Sequence, residues 1–178
     1  MNIAVFCGSA TGKNSVYADA ARELGVLLAQ RNHTLVYGGG NIGLMGILAD
    51  AVLNHHGKVI GVIPGFLFAK EVGHTGLSHL EIVGSMHERK QRMADLAHAF
   101  VMMPGGWGTL DETAEILTWR QLGLINLPVG ILNINSFYNP LIAQMQRMTD
   151  EGFLKPVYLN SVIIEDSPAA LLDRLSLL

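Results

Sequence analysis

The apolar run Phe100-Val101-Met102-Met103 breaks directly into Pro104-Gly105-Gly106-Trp107-Gly108-Thr109-Leu110-Asp111-Glu112. It reads as a strand, a glycine loop and a helix running from Thr109 to about Leu122, the repeating unit of a parallel α/β sheet. The glycines carry no Cβ, so backbone N–H groups can approach an anion closely, and the positive end of the following helix points at the same spot. A phosphate site fits that arrangement. Thr109-Leu110-Asp111-Glu112 is also a capping box, with Thr109 bonding the third amide and Glu112 reaching back, which would make the segment an ordinary helix start.

The same unit recurs on both sides of this stretch. Asn2 to Cys7 reads as a buried strand ending in Gly8-Ser9-Ala10-Thr11-Gly12, with a helix over Tyr17 to Ala29. His33 to Tyr37 is a second strand, closed by Gly38-Gly39-Gly40-Asn41-Ile42-Gly43 and followed by a helix over Leu44 to Leu53. Lys58 to Ile63 is a third, ending at Pro64-Gly65, after which Phe66 to Leu80 has no clear period and reads as an irregular excursion. Ser85-Met86-His87-Glu88 is a capping box opening a helix to about His98, and Ala99 to Met103 is the strand before the glycine loop. Pro128 to Leu132 gives a strand, Phe137 to Glu151 a helix, and Ser161 to Ile164 a last strand before a C-terminal helix. The alternation predicts an α/β fold: a Rossmann-like open parallel sheet with helices on both faces, a single domain over residues 1–178. Loops after the first, second and glycine-loop strands should converge at the carboxyl edge, near the point where strand order reverses.

Composition narrows the partners. With 49% hydrophobic and 15% charged residues the 178-residue chain has enough apolar material for one core, and a net charge of -3 supplies no general attraction to nucleic acid or anionic membrane. No apolar segment approaches the roughly 18 residues of a membrane span, and the N-terminal run lacks the basic leader of a signal peptide. Cys7 is the single cysteine, so no internal disulfide can form. A cytoplasmic location is expected.

Several chemistries fail on spacing. Gly38 to Gly43 satisfies G-x-G-x-x-G, but no Asp or Glu occurs between Asp50 and Glu71, where a dinucleotide site needs its ribose-binding carboxylate. The seven histidines show no metal-ligand spacing, and adjacent His55 and His56 would point about 100° apart on a helix, so no metal is expected. No Gly-x-Ser-x-Gly elbow is present, and nothing places a base beside Cys7. What remains is Arg89 and Lys90 near the start of the helix preceding the glycine loop. Cations are disfavoured there by the helix dipole, so they suit an anion or a carboxylate, although a solvated basic face is the simpler explanation.

Ser85-Met86-His87-Glu88-Arg89-Lys90 followed by Pro104-Gly105-Gly106-Trp107-Gly108-Thr109-Leu110-Asp111-Glu112 resembles the LONELY GUY (LOG) family, cytokinin riboside 5′-monophosphate phosphoribohydrolases. The likeness extends through Gly38 to Gly46, Thr118 to Gly123 and Pro128-Val129-Gly130. The resemblance implies a homodimer that cleaves the N-glycosidic bond of a purine nucleoside 5′-monophosphate, AMP included, with no cofactor. It puts the catalytic roles on Arg89 and Glu112. It puts substrate contacts on Glu71, Met86, Lys90, Gly105, Gly106, Gly108, Thr109 and Thr118, and Gly8 and Ser9 of the first-strand loop would close over the nucleotide. Around Glu71 the residues Phe66-Leu67-Phe68 and His74 to Leu80 depart from the family pattern, and Trp107 stands where tyrosine is common.

Glu112 would then stabilise an oxocarbenium-like sugar or deprotonate the attacking water, and Arg89 would position rather than donate a proton. Two other readings use the same residues. A non-enzymatic purine-nucleotide carrier or sensor needs only the fold and the phosphate site. A pyridoxal-dependent amino-acid decarboxylase, a label sometimes attached to relatives, needs a Schiff-base lysine.

Overall fold

The computed structural model describes residues 1–68, 73–74 and 76–177. Seven parallel strands form one sheet: β1 (Asn2–Phe6), β2 (Thr34–Tyr37), β3 (Lys58–Pro64), β4 (His79–Val83), β5 (Ala99–Met102), β6 (Val129–Leu132) and β7 (Val162–Glu165). Their order is β4-β3-β2-β1-β5-β6-β7. The connecting helices are α1 (Val16–Gln30), α2 (Gly43–Asn54), α3 (Gly65–Phe68), α4 (Met86–Leu96), α5 (Trp107–Gln121), α6 (Asn139–Asp150), α7 (Pro156–Asn160) and α8 (Pro168–Leu175). The Rossmann-like α/β expectation holds.

Alternation along the central strands divides the core. Ile3, Val5 and Cys7 of the first strand segment, with Ala99, Val101 and Met103, pack under α1, α2 and α8. Ala4, Phe6 and Phe100 point the other way, against Met93 of α4 and Ile116 of α5, while Met102 packs with Tyr138 and Met145 towards α6. Strands buried on both faces lose the polar half of the period-2 pattern, which is why they appear in the sequence as unbroken apolar runs.

The chain travels outward from β1 through β4, then crosses back through α4 to place β5 on the other side of β1. A right-handed crossover puts the helices of the outward and return journeys on opposite faces, so β1 and β5 flank the switch point and their following loops part there. The two loops remain tied at their bases, the Gly8 amide donating to the Pro104 carbonyl at 3.1 Å. The first turn of α2 joins them through the Leu44 amide and the Gly8 carbonyl at 3.0 Å.

One expectation needs correction. The stretch from Phe66 to Leu80 is not wholly irregular: it contains α3 and leads into β4, which pairs with β3 from Ile60↔His79 to Pro64↔Val83. An edge strand has one partner, and β4 keeps its first four residues exposed or only half-buried, so its sequence lacks the apolar run of the inner strands. In addition, a separate short helix, α7, precedes β7.

The cap on α4 matches expectation with a small shift. Ser85 Oγ accepts from the Glu88 amide at 3.1 Å, while the Glu88 carboxylate reaches past Ser85 to accept from the Gly84 amide at 2.7 Å. Ser85→Ala is expected to cost about 1 kcal/mol and lower the midpoint of a thermal melt by about 2–4 °C.

Candidate active site

Helix α5 begins earlier than the capping box requires. Its N-cap is Gly106 and its first residue Trp107, so Thr109 is the third residue inside the helix and no side chain caps the turn. Thr109 Oγ1 therefore does not cap, and the reading of Thr109 and Glu112 as a capping box at the helix start fails. The helical ladder begins with the Leu110 amide donating to the Gly106 carbonyl at 3.1 Å, leaving the amides of the preceding turn without intrahelical acceptors. Beyond Gly106 and Gly108 the space is open: a Cβ on either would meet no protein atom within 4 Å. An uncapped helix start facing open space suits an anion that supplies the missing acceptors.

A cavity of about 170 Å³ lies against this turn. Gly8 and Ser9 line it from the loop after β1, Gly106, Gly108 and Thr109 from the start of α5, and Arg89 and Glu112 from α4 and α5. A second cavity of about 310 Å³ shares Gly8, Ser9 and Gly106 and adds Gly105.

Arg89 and Glu112 meet in the lining of the first cavity, Arg89 Nη1 standing 3.3 Å from Glu112 Oε1, with only 10% and 8% of their side chains exposed. Arg89 Nε donates to the Val62 carbonyl of β3 at 3.2 Å, and Met86 Sδ lies 3.9 Å from Nη1. The guanidinium is thus held by a strand, its own helix and the carboxylate. Gly38 completes the seat: a Cβ there would fall on the Arg89 guanidinium. Gly43, at φ +61°, similarly admits the Ser9–Ala10 backbone. The glycines that mimic a dinucleotide motif therefore serve close packing around the site.

Lys90 does not line the cavity. Its ammonium sits 3.1 Å from Asp111 and 2.9 Å from Glu115, bracing α4 against α5. Burial pulls its pKa down, but the hydrogen bonds to Glu115 and Asp111 and their charges outweigh this and raise it above the ordinary lysine value. A Schiff-base lysine needs the opposite shift, so Lys90 does not fit a pyridoxal site. Thr118 lies six residues beyond Glu112, 240° further around the helix, and its hydroxyl bonds the Ala114 carbonyl at 2.7 Å. It lines an apolar groove between α5, α6 and α7 instead of the Glu112 cavity. Glu71 lies outside the described residues.

Sequence reasoning missed Cys7 and Met45 as lining residues. Burial raises the Cys7 thiol well above its ordinary pKa, the Glu112 carboxylate adds to this and Arg89 opposes it, so Cys7 is a neutral wall of the site and no nucleophile. Among the described residues no group of His, Cys, Asp and Glu is arranged to hold a metal ion.

Residues 45–175 match a family model described as possible lysine decarboxylase. The chain is 44% identical over 173 residues to a cytokinin riboside 5′-monophosphate phosphoribohydrolase of Arabidopsis thaliana, covering 97% of this chain and 81% of that protein. It is 48% identical to the rice enzyme of the same name, over 85% of this chain and 63% of the other. Among solved structures, the structural-genomics protein TM1055 superposes with a TM-score of 0.77 at 23% identity, covering 99% of both chains. The molybdenum cofactor carrier protein of Chlamydomonas reinhardtii gives 0.72 at 20%, over 99% of this chain and 97% of the other. At these identities the two structures speak for the fold alone. The level of identity to the plant enzymes, sustained across nearly the whole chain and through both segments that meet at the cavity, places this chain in the LONELY GUY family.

Proposed function

We propose that the protein hydrolyses the N-glycosidic bond of adenosine 5′-monophosphates, N6-modified ones included, releasing the free base and ribose 5-phosphate. The observation that carries this is the buried Arg89–Glu112 pair beside an uncapped helix start. The 5′-phosphate takes the amides of Trp107, Gly108 and Thr109 and the Thr109 hydroxyl, which anchors the ribose beside Glu112. As C1′–N9 breaks, its electron pair leaves with the purine and positive charge grows on the sugar. Glu112 stabilises that charge or takes a proton from the water whose oxygen bonds to C1′, and the proton this water gives up passes, by way of Glu112 or solvent, to the departing purine, which leaves neutral. Arg89 holds the carboxylate in place and gives hydrogen bonds to the electron-rich base. Lys90 and Met86 serve by fixing α4 and Arg89.

Incubation with AMP and with its N6-isopentenyl analogue, followed by chromatography for free base, tests the reading. Stoichiometric release of base and ribose 5-phosphate is expected. Tight nucleotide binding with no base released would make the protein a carrier and overturn it.

A homodimer in the cytoplasm belongs to the same proposal. The apolar groove of about 260 Å³ between α5, α6 and α7 is lined by Gln121 and Leu154, whose chain neighbours Leu122 and Phe153 are exposed, a surface suited to a second copy. Light scattering should give twice the monomer mass. No described helix is long and apolar enough to cross a membrane.

A further inference from the structure

Trp107 is 88% exposed, the highest value among the exposed large apolar side chains described. It is the first residue of α5, stands between Gly106 and Gly108, and lines the same cavity as Arg89 and Glu112. The other tryptophan, Trp119, is partly buried and packs against the second core cluster. The described ring contacts join Phe6 to Phe100 and Phe137 to Tyr17 and Tyr138, and none involves Trp107. An indole left in water forgoes the burial of a large apolar surface, which is informative when it occurs at the mouth of a site.

Size adds a second reason. The cavity of about 170 Å³ is smaller than the few hundred ångström-cubed of an ordinary ligand pocket. A nucleotide whose phosphate sits on the first turn of α5 must therefore extend out of it, either into the adjoining cavity of about 310 Å³ that shares Gly8, Ser9 and Gly106 or across the exposed Trp107. Side chains at a helix start lean towards the N-terminus, so the Trp107 ring is carried on the side of the phosphate cradle. The flanking glycines offer no side chain to hold the ring away from a ligand.

We propose that Trp107 determines base recognition by stacking its indole on a face of the substrate purine once the phosphate is bound. The inference rests on the nucleotide reading above. Stacking uses the π-face that all purines share, so the contact serves AMP and N6-modified nucleotides alike, and it is absent for ribose 5-phosphate.

Trp107→Ala is expected to raise KM for AMP and for the N6-isopentenyl nucleotide by about 5- to 100-fold, with kcat changed less than about threefold. Inhibition by ribose 5-phosphate should stay at the wild-type level, and Trp107→Phe should recover most of the loss. In a Trp119→Phe background, where Trp107 is the single fluorophore of its kind, AMP should quench the emission and ribose 5-phosphate should not. Equal weakening of AMP and ribose 5-phosphate would show that Trp107 only shapes the phosphate loop and would overturn the stacking role, as would an unchanged KM. If the wild-type protein releases no base from any nucleotide, the hydrolase reading fails by itself. The fluorescence comparison then still decides Trp107: quenching by AMP alone sustains stacking, and no difference between the two ligands removes it.

Discussion

Glu112→Gln is expected to reduce release of free base from AMP by about a hundredfold or more, with a thermal midpoint within a few degrees of wild type. Glutamine keeps the shape of the side chain and an oxygen that can accept from Arg89, whose Nη1 lies 3.3 Å from Glu112 Oε1. What it lacks is the negative charge that stabilises a cationic sugar and the basicity to take a proton from water. A structural role would give a different result. Because α5 starts at Gly106 and the Thr109–Glu112 pair does not form its cap, no capping-box bond is lost with the carboxylate. Glu112→Ala would instead leave a guanidinium without its carboxylate at a site where both side chains are about nine-tenths buried, at a cost of about 3–5 kcal/mol. Steady-state assays beside calorimetry separate the two effects, and full turnover by the glutamine variant would sink the assignment.

Gly38→Ala should lower kcat by about ten- to a hundredfold without unfolding the protein. The added methyl would fall on the Arg89 guanidinium and lie 3.3 Å from Met45 Sδ. The end of a long side chain can yield where backbone cannot, so β2 and α4 keep their places and the guanidinium moves. It cannot then keep both the Val62 carbonyl and Glu112, and displacement of catalytic groups by about 1 Å is enough for losses of this size. A ribose 5-phosphate inhibition constant near wild type would show the phosphate cradle intact. Wild-type kcat in this variant would mean that the seating of Arg89 is immaterial to the chemistry.

Gly38 also shows why part of the site was hidden in the sequence. Its neighbours in the chain suggested a dinucleotide loop, whereas its function is set by Arg89, 51 positions later. Cys7 and Met45 were hidden for a similar reason: as core-type residues in apolar segments, nothing in their order along the chain distinguishes a cavity wall from a packed interior. The β4 strand was missed because an edge position asks little of its residues beyond extended backbone. Thr118, assigned to the site by resemblance, is separated from it within this chain by the pitch of α5.

The sequence by itself determined the alternating α/β order, the parallel sheet, the glycine loop at the carboxyl edge and the two segments that supply Arg89 and Glu112. The element order and the glycine loop follow from apolar periodicity and glycine placement, which are local properties, while Arg89 and Glu112 were singled out by the resemblance of their two motifs to the family. Only the tertiary structure decided that α5 starts uncapped at Gly106, that Lys90 is occupied by Asp111 and Glu115, and that Arg89 rests on Val62 and in the space left by Gly38. The Lys90 and Arg89 contacts depend on where α4 comes to lie after crossing back beneath the sheet, and a contact between residues far apart in the chain exists only once packing has fixed both ends.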